Sequence, residues 1–258
     1  MSTKINQILK KWPKDTIAAA SWLREQGIPR DLLSYYRRSG WMTGFGRGAV
    51  VKSGDKADWP GGVYALQEQL HLPLHPGGKT ALTLQGFGHY VPLGRERVTL
   101  FTRRGVRVPR WFDEADWPVT LRIFKTNLFP ADCSTGLKKL DMGNFSITVS
   151  APERAIMEVL YCLPKAESPD ETEHLMEGLS TLRPDVVTEL LRACTSVKVK
   201  RTFMVLAEAE RHSWLERVDT TGVDFGSGKR LLIKGGYLHP RYQITVPHSW
   251  RQEETADA

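Results

Sequence analysis

The sequence predicts an α+β protein. A winged helix-turn-helix occupies residues 1–94, a larger mixed α/β domain occupies 95–248, and a polar tail over 249–258 is expected to be disordered. Three observations lead to this reading. Apolar residues recur at helical spacing in three short runs before residue 40, punctuated by proline and glycine. The pattern then switches to two short β-like segments around a glycine-rich turn. After a strand-rich middle, the chain from Ser150 onward returns to apolar stripes at helical spacing.

In the first run Ile5, Ile8, Leu9 and Trp12 share a helical face, and Pro13 ends it. Thr16 is placed to cap a second helix over 17–26, with Gly27 just past its end. Gly27-Ile28-Pro29 leads into a third helix over 30–39, which Gly40 closes. Two helices across a tight glycine-containing turn form a helix-turn-helix. Trp41-Met42-Thr43 and Ala49-Val50-Val51 flank Gly44-Phe45-Gly46-Arg47-Gly48, and this hairpin is the wing. Trp59-Pro60-Gly61-Gly62 opens a helix over 63–71, on which Val63, Leu66 and Leu70 share a face.

The stretch 72–149 reads as strand-rich, with strands over 80–84 and 97–103 and a linker near Leu93-Gly94. Ser150-Ala151-Pro152-Glu153 has the form of a helix start, a capping hydroxyl with a carboxylate three positions on. Further helices are predicted over 170–181, 184–193 and 200–210. Strands over 230–233 and 242–246 follow, joined through Gly235-Gly236.

Charge is distributed unevenly. The 258 residues carry a net charge of +7. Residues 1–110 hold 18 Lys+Arg against 7 Asp+Glu, whereas 111–258 hold 18 against 22. That asymmetry suits a polyanion-binding front and a protein-facing back. No stretch approaches the roughly 18 apolar residues of a membrane span. The opening residues Met1-Ser2-Thr3-Lys4-Ile5-Asn6-Gln7 lack the apolar core of a signal peptide. Cys133, Cys162 and Cys194 are odd in number and far apart, which suits a reducing compartment. A cytoplasmic protein is expected.

In a helix-turn-helix the second helix enters the major groove of double-stranded DNA. Leu32, Leu33 and Tyr36 give the third helix its apolar face, which leaves Arg30, Ser34, Arg37 and Arg38 outward with Tyr35 beside them. Arginine suits bidentate contact with guanine, while serine and tyrosine more often hold phosphates. Arg47 at the wing tip, with Lys52 behind it, is read as a backbone or minor-groove contact. Lys10, Lys11 and Lys14 add attraction for phosphate.

Look-alikes of enzyme motifs fail on spacing. Gly77-Gly78-Lys79-Thr80 ends like a phosphate-binding loop, but Pro73 stands where that loop needs a glycine. Gly226-Ser227-Gly228-Lys229 is followed by Arg230 where a metal-binding hydroxyl belongs. His71 and His75 flank Pro73, so they do not share a helical face, and no other His/Cys grouping has zinc spacing. Asp113, Glu114 and Asp116 are the one contiguous carboxylate set. They read as a solvated loop anchored by Trp111 and Trp117. No catalytic residue, metal or cofactor is expected. A metal-dependent nucleic-acid enzyme built on that acidic set and a ligand-responsive regulator remain as alternatives.

Further stretches carry a family resemblance. They include Gly40-Trp41-Met42, Gly46-Arg47-Gly48-Ala49, Trp59-Pro60-Gly61-Gly62-Val63-Tyr64-Ala65-Leu66-Gln67 and Gly77-Gly78-Lys79-Thr80-Ala81-Leu82. Gly86-Phe87-Gly88-His89-Tyr90, Ser150-Ala151-Pro152-Glu153-Arg154-Ala155, Lys198-Val199-Lys200-Arg201-Thr202-Phe203 and Gly226-Ser227-Gly228-Lys229-Arg230 complete the set. In this order the sequence resembles the AbiEi-type antitoxins, the transcriptional-regulator half of type IV toxin–antitoxin systems. The resemblance implies a winged helix-turn-helix joined to an antitoxin domain. It implies a repressor of its own operon that binds inverted repeats in the promoter cooperatively; tandem copies on such repeats are compatible with the expected monomer in solution. It also implies opposition to a nucleotidyltransferase-like toxin, which does not require a stable complex with it, and a role in phage resistance. Lys198, Lys200 and Arg201 form a weak candidate patch for the antitoxin activity.

Overall fold

The computed structural model describes residues 4–88 and 94–251. Leu93 of the expected linker and the His89-Tyr90 pair lie outside the described residues. The chain begins with α1 (Lys4–Lys11), whose Ile5 and Ile8 are buried beside Trp12. Residues 17–19 depart from the expected second helix. They form β1 (Ile17–Ala19), and only then does the shorter α2 (Ala20–Glu25) begin.

The cause is a set of partners that no local pattern displays. Thr16 donates its hydroxyl to the Pro13 carbonyl instead of capping a helix. Ile17, Ala18 and Ala19 pair antiparallel with Val51, Val50 and Ala49 of the wing. Gln69 seals the other edge, accepting the Ala19 N–H at 2.9 Å and donating to the Ile17 carbonyl at 2.9 Å. Satisfying buried backbone groups outweighs the few tenths of a kcal/mol per residue by which alanine favours helix.

Then come α3 (Arg30–Arg38), β2 (Met42–Gly44) and β3 (Ala49–Lys52). The sheet order is β1-β3-β2, antiparallel throughout. Ile5, Ile8, Trp12, Leu23, Ile28 and Tyr36 fill the space between its helices. With three helices, the sheet and its hairpin, the front of the chain is a winged helix-turn-helix.

Asp58 caps α4 (Trp59–Tyr64) by accepting the Trp59 N–H at 2.6 Å, and the helix runs on as a π turn through Gln69 to β4 (Leu74–Pro76). The glycine pair in α4 has a steric reason. A Cβ on Gly61 would lie 2.3 Å from the Asp15 carbonyl oxygen, and one on Gly62 would lie 2.8 Å from the Phe112 ring.

Residues 78–84 form the helix α5 (Gly78–Leu84), not the predicted strand. Glu158 accepts the Gly78 N–H at 3.0 Å, meeting a free amide at the helix start. The chain continues through β5 (Arg97–Thr102), α6 (Arg110–Asp113), β6 (Thr120–Lys125), β7 (Leu137–Asp141) and β8 (Ser146–Ser150). Strand β5 lies between antiparallel β4 and parallel β6, while β7 pairs with β8.

Four helices follow: α7 (Pro152–Cys162), α8 (Pro169–Glu177), α9 (Pro184–Ala193) and α10 (Val197–Ala209). The first three open on a proline, whose missing N–H loses nothing at the first helical position. Ala151 sits at the cap of α7, so Ser150 does not play the predicted part. Its hydroxyl donates to Glu158 at 2.8 Å, and Glu153 engages Arg183 instead. The closing sheet has the order β10-β11-β9, from β9 (Arg230–Leu231), β10 (Tyr237–Leu238) and β11 (Ile244–Val246). His248–Trp250 makes a 3-10 turn with Trp250 buried, so the expected tail is held up to that point. Residues 252–258 lie outside the described residues.

Compactness groups the chain into two units. One comprises Met1–Pro76, Val91–Lys125 and Lys138–Val149; the other comprises Gly77–Tyr90, Thr126–Leu137 and Ser150–Ala258. The second has its own core around Ile156, Leu160, Leu190, Phe203 and Trp214.

Candidate nucleic-acid interface

Helix α3 owes its position to its flanks. Pro29 is extended at the N-cap, and Leu33 returns its N–H to the Pro29 carbonyl. Gly40 leaves the helix at φ 76, a left-handed conformation that glycine takes freely. Tyr36 is buried and pins the inner face, with Leu32 and Leu33 half-buried beside it. Arg30, Ser34, Tyr35, Arg37 and Arg38 are all exposed. Arg30, Ser34 and Arg37 succeed one another at steps of four and three, so they line one stripe.

A groove borders α3 on each side. The groove toward β2 is lined by Asp31, Ser34, Arg37, Arg38, Met42, Thr43 and Gly44. The second runs between α3, α2 and the wing turn, where Arg24, Arg30, Arg37 and Arg47 converge. Its volume is about 610 Å³, within the range of small-molecule pockets. Four arginines are the wrong lining for a mostly apolar ligand and the right one for a polyanion. Arg24 on α2 is a member that sequence reasoning missed.

The wing turn is fixed from below. Phe45 donates its N–H to the Ala49 carbonyl at 2.9 Å, closing the hairpin. Gly46 and Gly48 both have positive φ, and Arg47 stands exposed between them. A Cβ on Gly46 would come within 3.2 Å of the Trp111 backbone, and the Phe45 ring lies 5.2 Å from Trp117. Trp111, Phe112 and Trp117 pack as one aromatic group, with the Trp117 indole donating to the Phe112 carbonyl at 2.8 Å. The two tryptophans are anchors, as the sequence suggests; that they anchor the wing was not legible.

The Arg37 guanidinium lies against the backbone of Gly44 in β2, where a Cβ would come within 2.7 Å of it. Lys52, behind the wing tip, is engaged within the protein. Its ammonium donates to the carbonyls of Leu9, at 3.3 Å, and Trp12, and it lies over the Trp12 ring. Burial pulls its pKa below the ordinary lysine value, against the opposing pull of Asp55 and Asp15. Lys52 therefore ties the base of the wing to the C-terminal end of α1, where free carbonyls favour a cation.

Against this geometry, a family model described as "Transcriptional regulator, AbiEi antitoxin N-terminal domain" matches residues 1–93. A second, "Transcriptional regulator, AbiEi antitoxin, Type IV TA system", matches residues 95–247. The chain belongs to the AbiEi antitoxin family. It is thus a transcriptional regulator and antitoxin of a type IV toxin–antitoxin system. The fold of this AbiEi regulator is similar to the crystal structure of the RV2827C protein from Mycobacterium tuberculosis. Identity is 15% and the TM-score 0.56, over 93% of this chain and 88% of that one. No curated protein matches it in sequence.

The remaining look-alikes in the AbiEi chain take structural parts. Lys79 is paired with Glu167, at 2.6 Å, and Glu171. Burial lowers its pKa, but the two carboxylates outweigh that and hold it above the ordinary value. The loop around Gly226 turns its carbonyls inward: Arg201 donates to those of Phe225, Gly226, Gly228 and Gln243. A phosphate site would offer N–H groups there. Lys198 donates to the carbonyls of Tyr161 and Leu163, and Lys200 is buried, so the basic residues at the start of α10 form no exposed patch. Asp116 pairs with Arg95 at 3.1 Å and Glu114 with Arg110 at 3.7 Å. Among the described residues no three His, Cys, Asp or Glu are grouped to hold a metal ion, and no helix is long and apolar enough to cross a membrane.

Proposed function

We propose that this AbiEi regulator represses its own operon by binding inverted repeats in its promoter. In this reading α3 enters the major groove and the wing lies along the adjacent backbone. The supporting observation is the convergence of Arg24, Arg30, Arg37 and Arg47 in one groove beside α3. Arg30, Arg37 and Arg38, with Ser34 and Tyr35, read bases and hold phosphates; Arg47 contacts the backbone or minor groove. Residues 1–94 form the DNA-binding domain in sequence terms and 95–248 the antitoxin domain. The protein acts in the cytoplasm, without catalysis, as a monomer that binds tandem half-sites cooperatively.

The experiment is a binding titration on the promoter duplex and on a scrambled duplex, across a range of salt. Tight, salt-sensitive preference for the promoter is expected. R37A/R38A should lose that preference, by roughly 10-fold or more, with an unchanged unfolding midpoint. Equal binding of promoter and scrambled DNA by the native protein would sink the repressor reading. Its toxin is a nucleotidyltransferase-like protein encoded beside it. Co-expression of this chain should relieve growth arrest by that neighbour, and continued arrest would remove the pairing.

A further inference from the structure

Four arginines follow β5 within eight residues: Arg103, Arg104, Arg107 and Arg110. All four are exposed. The segment that carries them has defined geometry. Val106 donates its N–H to the Arg103 carbonyl at 3.3 Å, and Gly105 takes φ 86, closing a tight turn. Pro109 then caps α6, and Trp111 and Phe112 bury its far end. The turn is thus held at both ends, by a six-residue parallel strand pair on one side and by an aromatic anchor on the other.

Its place relative to the wing follows from one contact. Gly46 sits directly on the Trp111 backbone. Arg47 follows Gly46 and Arg110 precedes Trp111, so their Cα atoms lie at most about 12 Å apart. A duplex segment of that length carries on the order of seven phosphate charges. The carboxylates nearby are Asp113, Glu114 and Asp116. Glu114 is paired with Arg110, and Asp116 with Arg95. Arg103 and Arg107 have no carboxylate partner among the described residues.

We propose that residues 103–110 form a second, sequence-independent contact to the DNA backbone, continuous with the wing tip and extending the footprint beyond it. The proposal rests on the DNA-binding reading of α3 and names a surface that the reading does not include. Its chemistry differs from that of α3: exposed arginines on a turn can neutralise phosphates but present no helix to a groove. They should strengthen promoter and scrambled DNA alike.

The test is the salt dependence of binding by full-length R103Q/R104Q/R107Q. Its log affinity should fall less steeply with log salt, the slope shrinking by about 2 to 3. Promoter and scrambled duplexes should both weaken, by about 10- to 100-fold at low salt, with their ratio preserved. The lysine counterpart, R103K/R104K/R107K, should keep the native slope, because phosphate neutralisation needs the charge and not the guanidinium fork. Unchanged slope and affinity in the glutamine variant, with native protein binding normally, overturn this proposal alone; an acidic protein surface then becomes the partner of the arginines. Loss of promoter preference in the glutamine variant also overturns the proposal, since that is the behaviour expected of R37A/R38A. A native protein that binds no duplex overturns both readings.

Discussion

Charged side chains in this chain divide by what converges on them. Arg201 is surrounded by four carbonyls, Lys198 and Lys52 by two each, and Glu153 by the backbone N–H and guanidinium of Arg183, at 2.9 to 3.0 Å. Burial pushes the Glu153 carboxyl up, but the Arg183 hydrogen bonds outweigh it and hold the group below the ordinary carboxylate value. The folded state therefore binds its proton less readily than the unfolded chain. The resulting stability is present above the ordinary carboxylate range and is lost as pH falls through the lowered value. Arg183 is largely exposed, so solvent screens the charge and the expected loss in Glu153→Ala is about 1–3 kcal/mol. Denaturant unfolding of both proteins from pH 7 to pH 3 checks it: the gap between them should narrow on acidification, and a constant gap would assign the effect to packing. In the sequence these inward charges look like those on α3. Arg37 and Arg38 could be picked out because an amphipathic helix shows which side faces away, whereas nothing in the order of residues shows where carbonyls will gather.

At the scale of elements, legibility followed how far the deciding partner lay along the chain. Helix α3 was readable because its signals, Pro29, Leu32, Leu33, Tyr36 and Gly40, are all local. So was α9, which begins on its proline and ends where the apolar stripe ends. Strand β1 was not, since Ala18-Ala19-Ala20 favours helix and the choice is made by the wing strand and Gln69, about fifty residues away. Helix α5 was misread for its threonines and for the remoteness of Glu158, 80 residues on. The Trp59-Pro60-Gly61-Gly62 motif gave its helix but hid its purpose. Gly61 lets α4 press against the loop before β1, so Gly61→Ala should destabilise the protein by roughly 1–3 kcal/mol or more, as overpacking does. The urea midpoint should drop with little change in slope. A drop equivalent to less than about 0.5 kcal/mol would mean the loop yields freely.

For the molecule as a whole, order along the chain and compactness in space diverge. One compact unit gathers residues from before 77, from 91–125 and from 138–149. The wing belongs to the first stretch, and the aromatic group beneath it, Trp111, Phe112 and Trp117, belongs to the second. A fragment ending at residue 94 keeps the side chains of α3 and the wing proposed to touch DNA, but loses both the 103–110 turn and the aromatic group that seats the wing. It should bind the promoter at least about 10-fold more weakly than the full chain carrying R103Q/R104Q/R107Q, a comparison that removes the 103–110 charges from both, since an unseated turn must be ordered at the moment of binding. Equal affinity would show that the hairpin holds its shape unaided. The same packing bears on how such regulators diversify. A crossover near residue 93 would hand one lineage's reading head to another lineage's tryptophans, and Gly46 tolerates only a close-fitting partner. New promoter preferences are then expected to arise by substitution on α3, with the seam between the two halves inherited intact.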